Sequence, residues 1–192
     1  MFRRQLTVRS ILLQAEHKYV NTAWKRRRQV PDQQIRDAAD QYEEARLLLW
    51  ALPPGSGVFY PSINAATIAI ELYLKSLTSE SVHEPLKDEI DVARVYSKPE
   101  VANHLLEVIY DAIKPALKSD LDKQFRLSGV GRDPENLRDT LRRFRGLFMI
   151  SRYPFEPQAD IRGFDIQLLM QLSAFLHRFV SQQEPFYLIE WT

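Results

Sequence analysis

The chain contains no cysteine. This absence excludes disulfides, thiolate-bound zinc, cysteine-ligated iron–sulfur clusters and a cysteine nucleophile. Apolar runs are also short, well below the roughly 18 residues that a membrane-spanning helix needs. The first residues lack the continuous apolar segment of a signal peptide. We therefore expect a soluble, cytoplasmic protein without a membrane partner.

Familiar catalytic and cofactor motifs are absent as well. The sequence has no GxxxxGK[ST] phosphate loop, no GxGxxG dinucleotide motif and no GxSxG nucleophile motif. The four histidines, His17, His83, His104 and His177, are scattered. A single Glu-x-x-His, from Glu80 to His83, stands alone, whereas a di-iron bundle needs two such motifs. The sequence therefore predicts no metal site and no cofactor.

The remaining composition is that of an ordinary folded domain. Of 192 residues, 45% are hydrophobic and 27% are charged, and the net charge is +1. This excludes a mainly disordered chain, because enough apolar material is present to offset chain entropy. The length fits one domain.

Charge is unevenly distributed along the chain. Residues 1–30 hold eight basic residues and one acid, whereas residues 31–100 hold six basic and twelve acidic residues. A second basic patch, with five arginines and one acid, lies at 138–152. Either patch is able to bind phosphate, although such arginines also commonly pair with acids of the same protein. The candidate nucleic-acid-binding residues are Lys25, Arg26, Arg27, Arg28, Arg142, Arg143, Arg145 and Arg152.

Apolar periodicity predicts an all-α fold, an up-and-down bundle of about five to six helices. The basic segment 1–30 is expected to form a helix, either as a separate arm or as part of the bundle, and 31–192 to form the bundle. Asp32 and Asp165 are the expected N-caps of the second and the last helix. A loop or short helix is expected at 79–99, and 186–191 has the composition of a strand without an identified partner. The predicted helices span 5–28, 33–52, 62–78, 100–118, 134–150 and the segment that follows Asp165.

Two of these helices differ in how their apolar residues are distributed. The helix at 62–78 is apolar nearly all round, which is typical of a helix at the centre of a bundle. The helix at 33–52 has one apolar face. That face consists of Ile35, Ala38, Ala39, Tyr42, Ala45, Leu48 and Leu49.

Glu71 is the conspicuous acid of the central helix. A carboxylate among apolar residues is costly unless it is paired. Lys75 lies four residues further on and is a possible partner. Arg152, at the end of the arginine-rich helix, is another, and we expect a structural Glu71–Arg152 salt bridge. The alternative is that Arg152 and Lys75 together face a phosphate.

Three short motifs occur in a characteristic order. Glu71-Leu-Tyr-Leu-Lys75 lies in the central helix, His104-Leu-Leu-Glu107 follows, and Arg152-Tyr-Pro-Phe-Glu156 comes later. This order resembles that of HEPN-type proteins, in which an E-L-x-L-K helix precedes a histidine-containing segment and a helix that ends in R-Y-x-(Y/F)-E. The resemblance covers about residues 35–180.

The resemblance implies a small helical bundle that forms a homodimer. It also implies an association with RNA, in a prokaryotic defence or toxin–antitoxin system, often with a nucleotidyltransferase-type partner protein. Catalytic members have R-x(4–6)-H, which no position here matches. The nearest arginine before His104, for example, is Arg94, with nine residues between them. The standard HEPN nuclease site is therefore not expected.

Three functions remain open at this point. The first is an RNA-binding module without the standard nuclease site. The second is a metal-independent ribonuclease with a non-standard site, for which the catalytic candidates are Glu71, His104 and Arg152. The third is a protein-interaction or scaffold subunit.

Overall fold

A computed structural model describes residues 24–85, 93–98, 101–131, 136–157 and 160–191. These residues form a helical bundle with a small sheet, and the predicted helical bundle is confirmed. The helices are α1 (Gln33–Trp50), α2 (Phe59–Thr78), α3 (Leu106–Asp111), α4 (Pro115–Ser128), α5 (Leu137–Arg143), α6 (Leu147–Arg152) and α7 (Ile166–Ser181). The strands are β1 (Trp24–Val30), β2 (Glu80–Pro85), β3 (Ala93–Lys98) and β4 (Phe186–Trp191).

The core is built around α2. This helix contacts α1, α3, α6 and α7. Its apolar side chains are buried on several sides, including Ile63, Ala66, Ile70 and Leu74, none of which is exposed. The all-round apolar sequence of α2 therefore places it at the centre of the bundle, as expected.

Both predicted N-caps are confirmed. The Oδ1 atom of Asp32 accepts a hydrogen bond from the backbone N of Ile35 at 3.0 Å. Asp165 accepts in the same way from the backbone N of Leu168 at 3.0 Å. Each carboxylate satisfies one of the amides that the first turn of a helix leaves unpaired.

A four-stranded antiparallel sheet, in the order β3-β2-β1-β4, is the main feature that periodicity did not predict. Residues 24–28 form part of β1, so the predicted helix 5–28 is wrong there, and residues 1–23 lie outside the described residues. Strands β2 and β3 replace the loop or short helix expected at 79–99. These segments form strands because they pair with segments distant in the sequence, and the local pattern of apolar residues does not reveal such pairing.

The basic residues 25–28 lie within an interior strand. β1 pairs with β2 on one side, where Arg28 is opposite Val82. It pairs with β4 on the other, where Arg28 is opposite Leu188. This part of the expected separate arm is therefore integrated into the sheet, because both edges of its backbone are hydrogen-bonded.

Two predicted helices are interrupted. The helix expected at 134–150 is divided between α5 and α6, because Gly146 adopts a left-handed conformation with φ 83. The helix expected at 100–118 is divided between α3 and α4. Pro115 begins α4 rather than ending a helix, which is the position where a missing amide hydrogen costs nothing.

α1 buries one pair of charged residues and exposes part of its predicted apolar face. Leu48 is 66% exposed and Tyr42 is 41% exposed. Glu43 and Arg46 are buried, with Arg46 Nε 2.7 Å from Glu43 Oε2. Ser173 of α7 also donates to Glu43 Oε2, at 2.5 Å. These hydrogen bonds offset part of the free energy that removing both charges from water costs.

Candidate functional site

Five side chains from α2, the segment before α3, and α6 meet at one place on the bundle. Glu71 and Lys75 come from α2, His104 lies just before α3, and Phe148 and Arg152 come from α6. We refer to these five residues as the His104 cluster. It contains all three of the catalytic candidates predicted from the sequence.

Glu71 is the anchor of the cluster. Its Oε1 atom accepts a hydrogen bond from Lys75 Nζ at 2.7 Å, and the two side chains are 9% and 17% exposed. The spacing of four residues places them on the same side of α2. The carboxylate is therefore held in one position and its charge is balanced within its own helix.

His104 is bound to the same carboxylate oxygen. Its Nδ1 atom lies 2.9 Å from Glu71 Oε1, while the imidazole side chain is 71% exposed. The backbone around it is fixed by a local turn, in which Asn103 Oδ1 accepts from Leu105 N at 2.8 Å. With Nδ1–H donating to Glu71, the lone pair of the ring is on Nε2. No described residue forms a hydrogen bond with that atom.

Phe148 joins His104 to Arg152. The rings of His104 and Phe148 are stacked, with centroids 5.8 Å apart and planes 6° apart. The guanidinium carbon of Arg152 lies 5.2 Å from the centroid of Phe148 and 5.7 Å from that of Tyr153. These contacts make the exposed imidazole and the exposed guanidinium neighbours around one aromatic ring.

A hydrogen bond fixes α6 against α2. Asn64 Nδ2 donates to Ser151 Oγ at 3.2 Å. Asn64 and Glu71 are seven residues apart and therefore lie on the same side of α2. The side of α2 that carries Glu71 thus also carries the residue that binds α6. The residue next to Ser151 is Arg152, whose place is therefore set by a contact with the centre of the bundle.

The predicted Glu71–Arg152 salt bridge is not formed. Glu71 is engaged by Lys75 and His104 instead. Arg152 is exposed, and among the described residues no carboxylate pairs with it. The alternative, in which Arg152 and Lys75 together face a phosphate, stays a prediction; in the structure Lys75 Nζ is bound to Glu71. The Glu71–Lys75 pair forms instead, because two residues four apart on one helix are already neighbours.

Other arginines of the second basic patch bind carboxylates of the protein. Arg145 Nε donates to Glu107 Oε1 at 2.8 Å, and Glu107 is buried. Arg142 lies 3.2 Å from Asp139. Arg143 is exposed. The side chains of Lys25, Arg26, Arg27 and Arg28 lie outside the description that the structure gives. Arg142 and Arg145 thus differ from Arg152 in being paired with acids, although all three belong to the same basic patch of the sequence.

Arg138 also forms an ion pair, which ties α5 to α3. Its Nη2 atom lies 2.7 Å from Asp111 Oδ2. Hydrogen bonding to this guanidinium lowers the pKa of Asp111 below its usual value. The pair is half exposed, so it contributes only modestly to stability.

Two tyrosines outside the cluster have perturbed acidity. Tyr73 donates to Asp40 at 2.8 Å, and burial followed by that hydrogen bond raises the pKa of the phenol well above its ordinary value. Tyr110 donates to Asp122 Oδ1 at 2.7 Å, and the same two causes raise its pKa. Both phenols therefore stay protonated at neutral pH and act as structural donors.

Further candidate sites in the described ranges are few. No group of three or more His, Asp or Glu side chains among the described residues is arranged to hold a metal ion. None of the described helices has both the length and the apolar character needed to cross a bilayer. A cavity of about 210 Å³ lies between α4 and α7, lined by residues that include Gln124 and Arg178. It contains none of the residues of the His104 cluster.

Sequence reasoning missed the role of Phe148. Phe148 lies within the predicted helix 134–150, and in the structure its ring is half-buried and stacks on His104. The break at Gly146 separates α6 from α5, and the periodicity of one continuous helix does not report such a break. The signal in the sequence that pointed toward Phe148 was the Arg152-Tyr-Pro-Phe-Glu156 motif, which begins four residues after it.

The chain matches no protein-family model, no curated protein and no solved structure.

Proposed function

We propose that the protein binds RNA at the His104 cluster. The proposal rests on one observation: Arg152 is an exposed arginine without a carboxylate partner among the described residues, and it shares an aromatic ring with the exposed His104. Arg142 and Arg145, by contrast, are paired with acids. Arg152 therefore places a positive charge beside His104.

Arg152 has the properties of a phosphate-binding group. Because it lies against aromatic rings rather than an acid, its N–H donors remain available to a ligand. Phosphate contacts from arginine hold a nucleic acid in place without reading its sequence. Within the cluster, the charges of Glu71 and Lys75 balance each other, so the guanidinium is not neutralised from inside. The proposal agrees with the HEPN resemblance, which implies an RNA-associated module.

The Glu71–His104 pair favours a second function at the same site, metal-independent RNA cleavage. A neutral imidazole that is oriented by a carboxylate at Nδ1 is a suitable general base at Nε2. In this reaction Nε2 removes the proton of a ribose 2′-hydroxyl, and the 2′-oxygen attacks the neighbouring phosphorus. The bond to the 5′-oxygen breaks, and the proton returns from His104 to that oxygen. Arg152 stabilises the charge that develops on the phosphate oxygens.

The test is a titration of labelled RNA with the purified protein at several salt concentrations, with RNA length checked in every sample. We expect Arg152→Ala to weaken RNA binding. We also expect it to reduce by about one the slope of the logarithm of the binding constant against the logarithm of the salt concentration, because one phosphate contact is lost. Arg142→Ala is the matched control, because it removes another exposed arginine of the same patch, one that is paired with Asp139. Equal effects of the two substitutions, or none from Arg152→Ala, would refute an RNA site at the cluster.

The same samples decide between binding and cleavage. Shortened RNA with wild-type protein, and intact RNA with His104→Ala, would establish the ribonuclease. Intact but bound RNA with both proteins would refute cleavage and leave the binding function. His104 is largely exposed, so its replacement is compatible with folding, and circular dichroism of the variant checks this.

A further inference from the structure

A tight turn follows α6 and presents an aromatic side chain beside the His104 cluster. The backbone N of Glu156 donates to the carbonyl of Tyr153 at 3.1 Å, which closes the four residues 153–156. Pro154 occupies the second position, where its fixed φ favours such turns. Phe155 at the third position is therefore held on a constrained backbone.

Phe155 is exposed to an unusual extent. Its side chain is 79% exposed, which is the highest value among the exposed large hydrophobic residues that the structure describes. Among the described residues its aromatic neighbour is Tyr153, at 6.1 Å between centroids and 87° between planes. The contact is edge-to-face, so the bundle leaves most of the phenylalanine surface open. Core packing therefore does not account for an aromatic residue at this place.

The surroundings of Phe155 fit a nucleotide. Tyr153 lies between Phe155 and Arg152, and the guanidinium of Arg152 is 5.7 Å from the tyrosine ring. An aromatic surface next to a guanidinium that no described carboxylate pairs with matches the two parts of a nucleotide, a flat base and a charged phosphate. The two features are adjacent in the chain, so the turn fixes their relative position.

We propose that Phe155 and Tyr153 form a stacking site for an unpaired base of RNA. This inference rests on the proposed RNA-binding function and specifies its substrate class as single-stranded RNA or an unpaired loop. Bases within a duplex are stacked on each other and offer no free face, whereas an unpaired base can lie on an aromatic ring. The phosphate of the bound nucleotide lies toward Arg152, which brings the backbone of the RNA to His104.

The experiment compares one labelled RNA in single-stranded form with its perfect duplex. We expect Phe155→Ala to weaken single-strand binding by about 5- to 150-fold, the range for loss of one base–aromatic stack. Phe155→Trp should retain tight binding, because the larger ring also stacks. Leu127→Ala is the control, since Leu127 is 72% exposed on α4 and offers no ring. Duplex binding should be weaker and unchanged by Phe155→Ala.

The outcomes separate this inference from the function on which it rests. If wild-type protein binds single-stranded RNA, and Phe155→Ala binds it equally well, the stacking site is refuted while RNA binding stands. Equal affinity of the wild type for single strand and duplex also refutes the preference for unpaired bases. If wild-type protein binds neither RNA, both proposals fall. Loss in Phe155→Ala with recovery in Phe155→Trp supports the stacking site.

Discussion

Glu71 connects the interior of the bundle to its surface chemistry. One oxygen of its carboxylate binds Lys75 within α2 and His104 from a different segment. A buried acid with two partners is satisfied, but each partner depends on it in a different way. Lys75 is largely buried and needs a counter-charge, whereas His104 is exposed and needs only orientation.

Glu71→Gln is therefore predicted to affect both stability and function. Removing the negative charge leaves the ammonium of Lys75 unpaired, and we expect the free energy of unfolding to fall by about 1–3 kcal/mol. The imidazole of His104 then faces a neutral amide, which is a weaker acceptor than the carboxylate, so any RNA cleavage should fall more than RNA binding does. Urea denaturation and RNA titration measure the two effects.

Lys75→Met in the Glu71→Gln background is the control for this prediction. It removes the unpaired ammonium, so stability should recover in part while the cleavage defect remains. A double variant that is no more stable than Glu71→Gln would show that the Lys75 charge is not the source of the loss.

At the scale of the secondary-structure elements, α1 departs most clearly from simple expectation. Its sequence has an apolar face, yet Ala39, Glu43 and Arg46 are the residues of this helix that are buried. The ion pair and Ser173 supply the hydrogen bonds that make this orientation possible. An amphipathic pattern thus identifies the helix but does not decide which face packs when a buried ion pair competes.

Arg46→Met tests the inward face of α1. The substitution leaves the carboxylate of Glu43, which is almost fully buried, without its cation. We expect a loss of about 3–5 kcal/mol in the free energy of unfolding, measured by urea denaturation. The double variant Glu43→Leu with Arg46→Met should be close to wild type, because an apolar pair replaces an ionic one. A mild effect of Arg46→Met alone would contradict the burial of the pair.

Leu48→Gln tests the outward face. Leu48 is 66% exposed, so we expect the free energy of unfolding to change by no more than about 0.5 kcal/mol. Leu74→Ala, a fully buried leucine of α2, is the comparison and should cost about 2–5 kcal/mol. A large loss in Leu48→Gln would show that this face is covered, for instance in the homodimer that the HEPN resemblance implies and that stays a prediction.

Features with local causes were predictable from the sequence. The caps Asp32 and Asp165 and the central position of α2 follow from neighbouring residues, and all three are confirmed. The sequence also named Glu71, His104 and Arg152 as catalytic candidates, and the structure brings these three side chains into one cluster. Their catalytic role stays a prediction. The Glu71–Arg152 pairing was wrong, because sequence spacing does not give the orientation of one helix relative to another. The sheet was missed because its strands are defined by partners far along the chain.

For the whole molecule, the perturbed tyrosines set an alkaline limit to stability. Burial and hydrogen bonds to Asp40 and Asp122 raise the pKa of Tyr73 and Tyr110 above the ordinary value of 10.0. Above that pH the unfolded chain loses phenolic protons that the folded protein retains. The folded state then binds more protons, so the free energy of unfolding falls as pH rises. Below pH 10 this contribution is fully present.

Tyr73→Phe is predicted to weaken this pH dependence. At neutral pH the variant loses the hydrogen bond to Asp40, which costs about 0.5–1.5 kcal/mol. Above pH 10 its stability should decline less steeply than that of the wild type, because one titrating phenol is gone. Urea midpoints between pH 7 and pH 11 measure the difference, with the exposed Tyr42→Phe as the control. Identical slopes in Tyr73→Phe and wild type would contradict the assignment.

The pairing of β1 with β4 also fixes an order of events in time. Trp24 lies opposite Trp191, so the sheet cannot close until nearly the whole described chain has left the ribosome. α1 and α2 are neighbours in sequence and can associate long before. During that interval the edge of β1 that later pairs with β4 is unpaired. The four consecutive basic residues of β1, Lys25 to Arg28, then repel the same strand of another nascent chain.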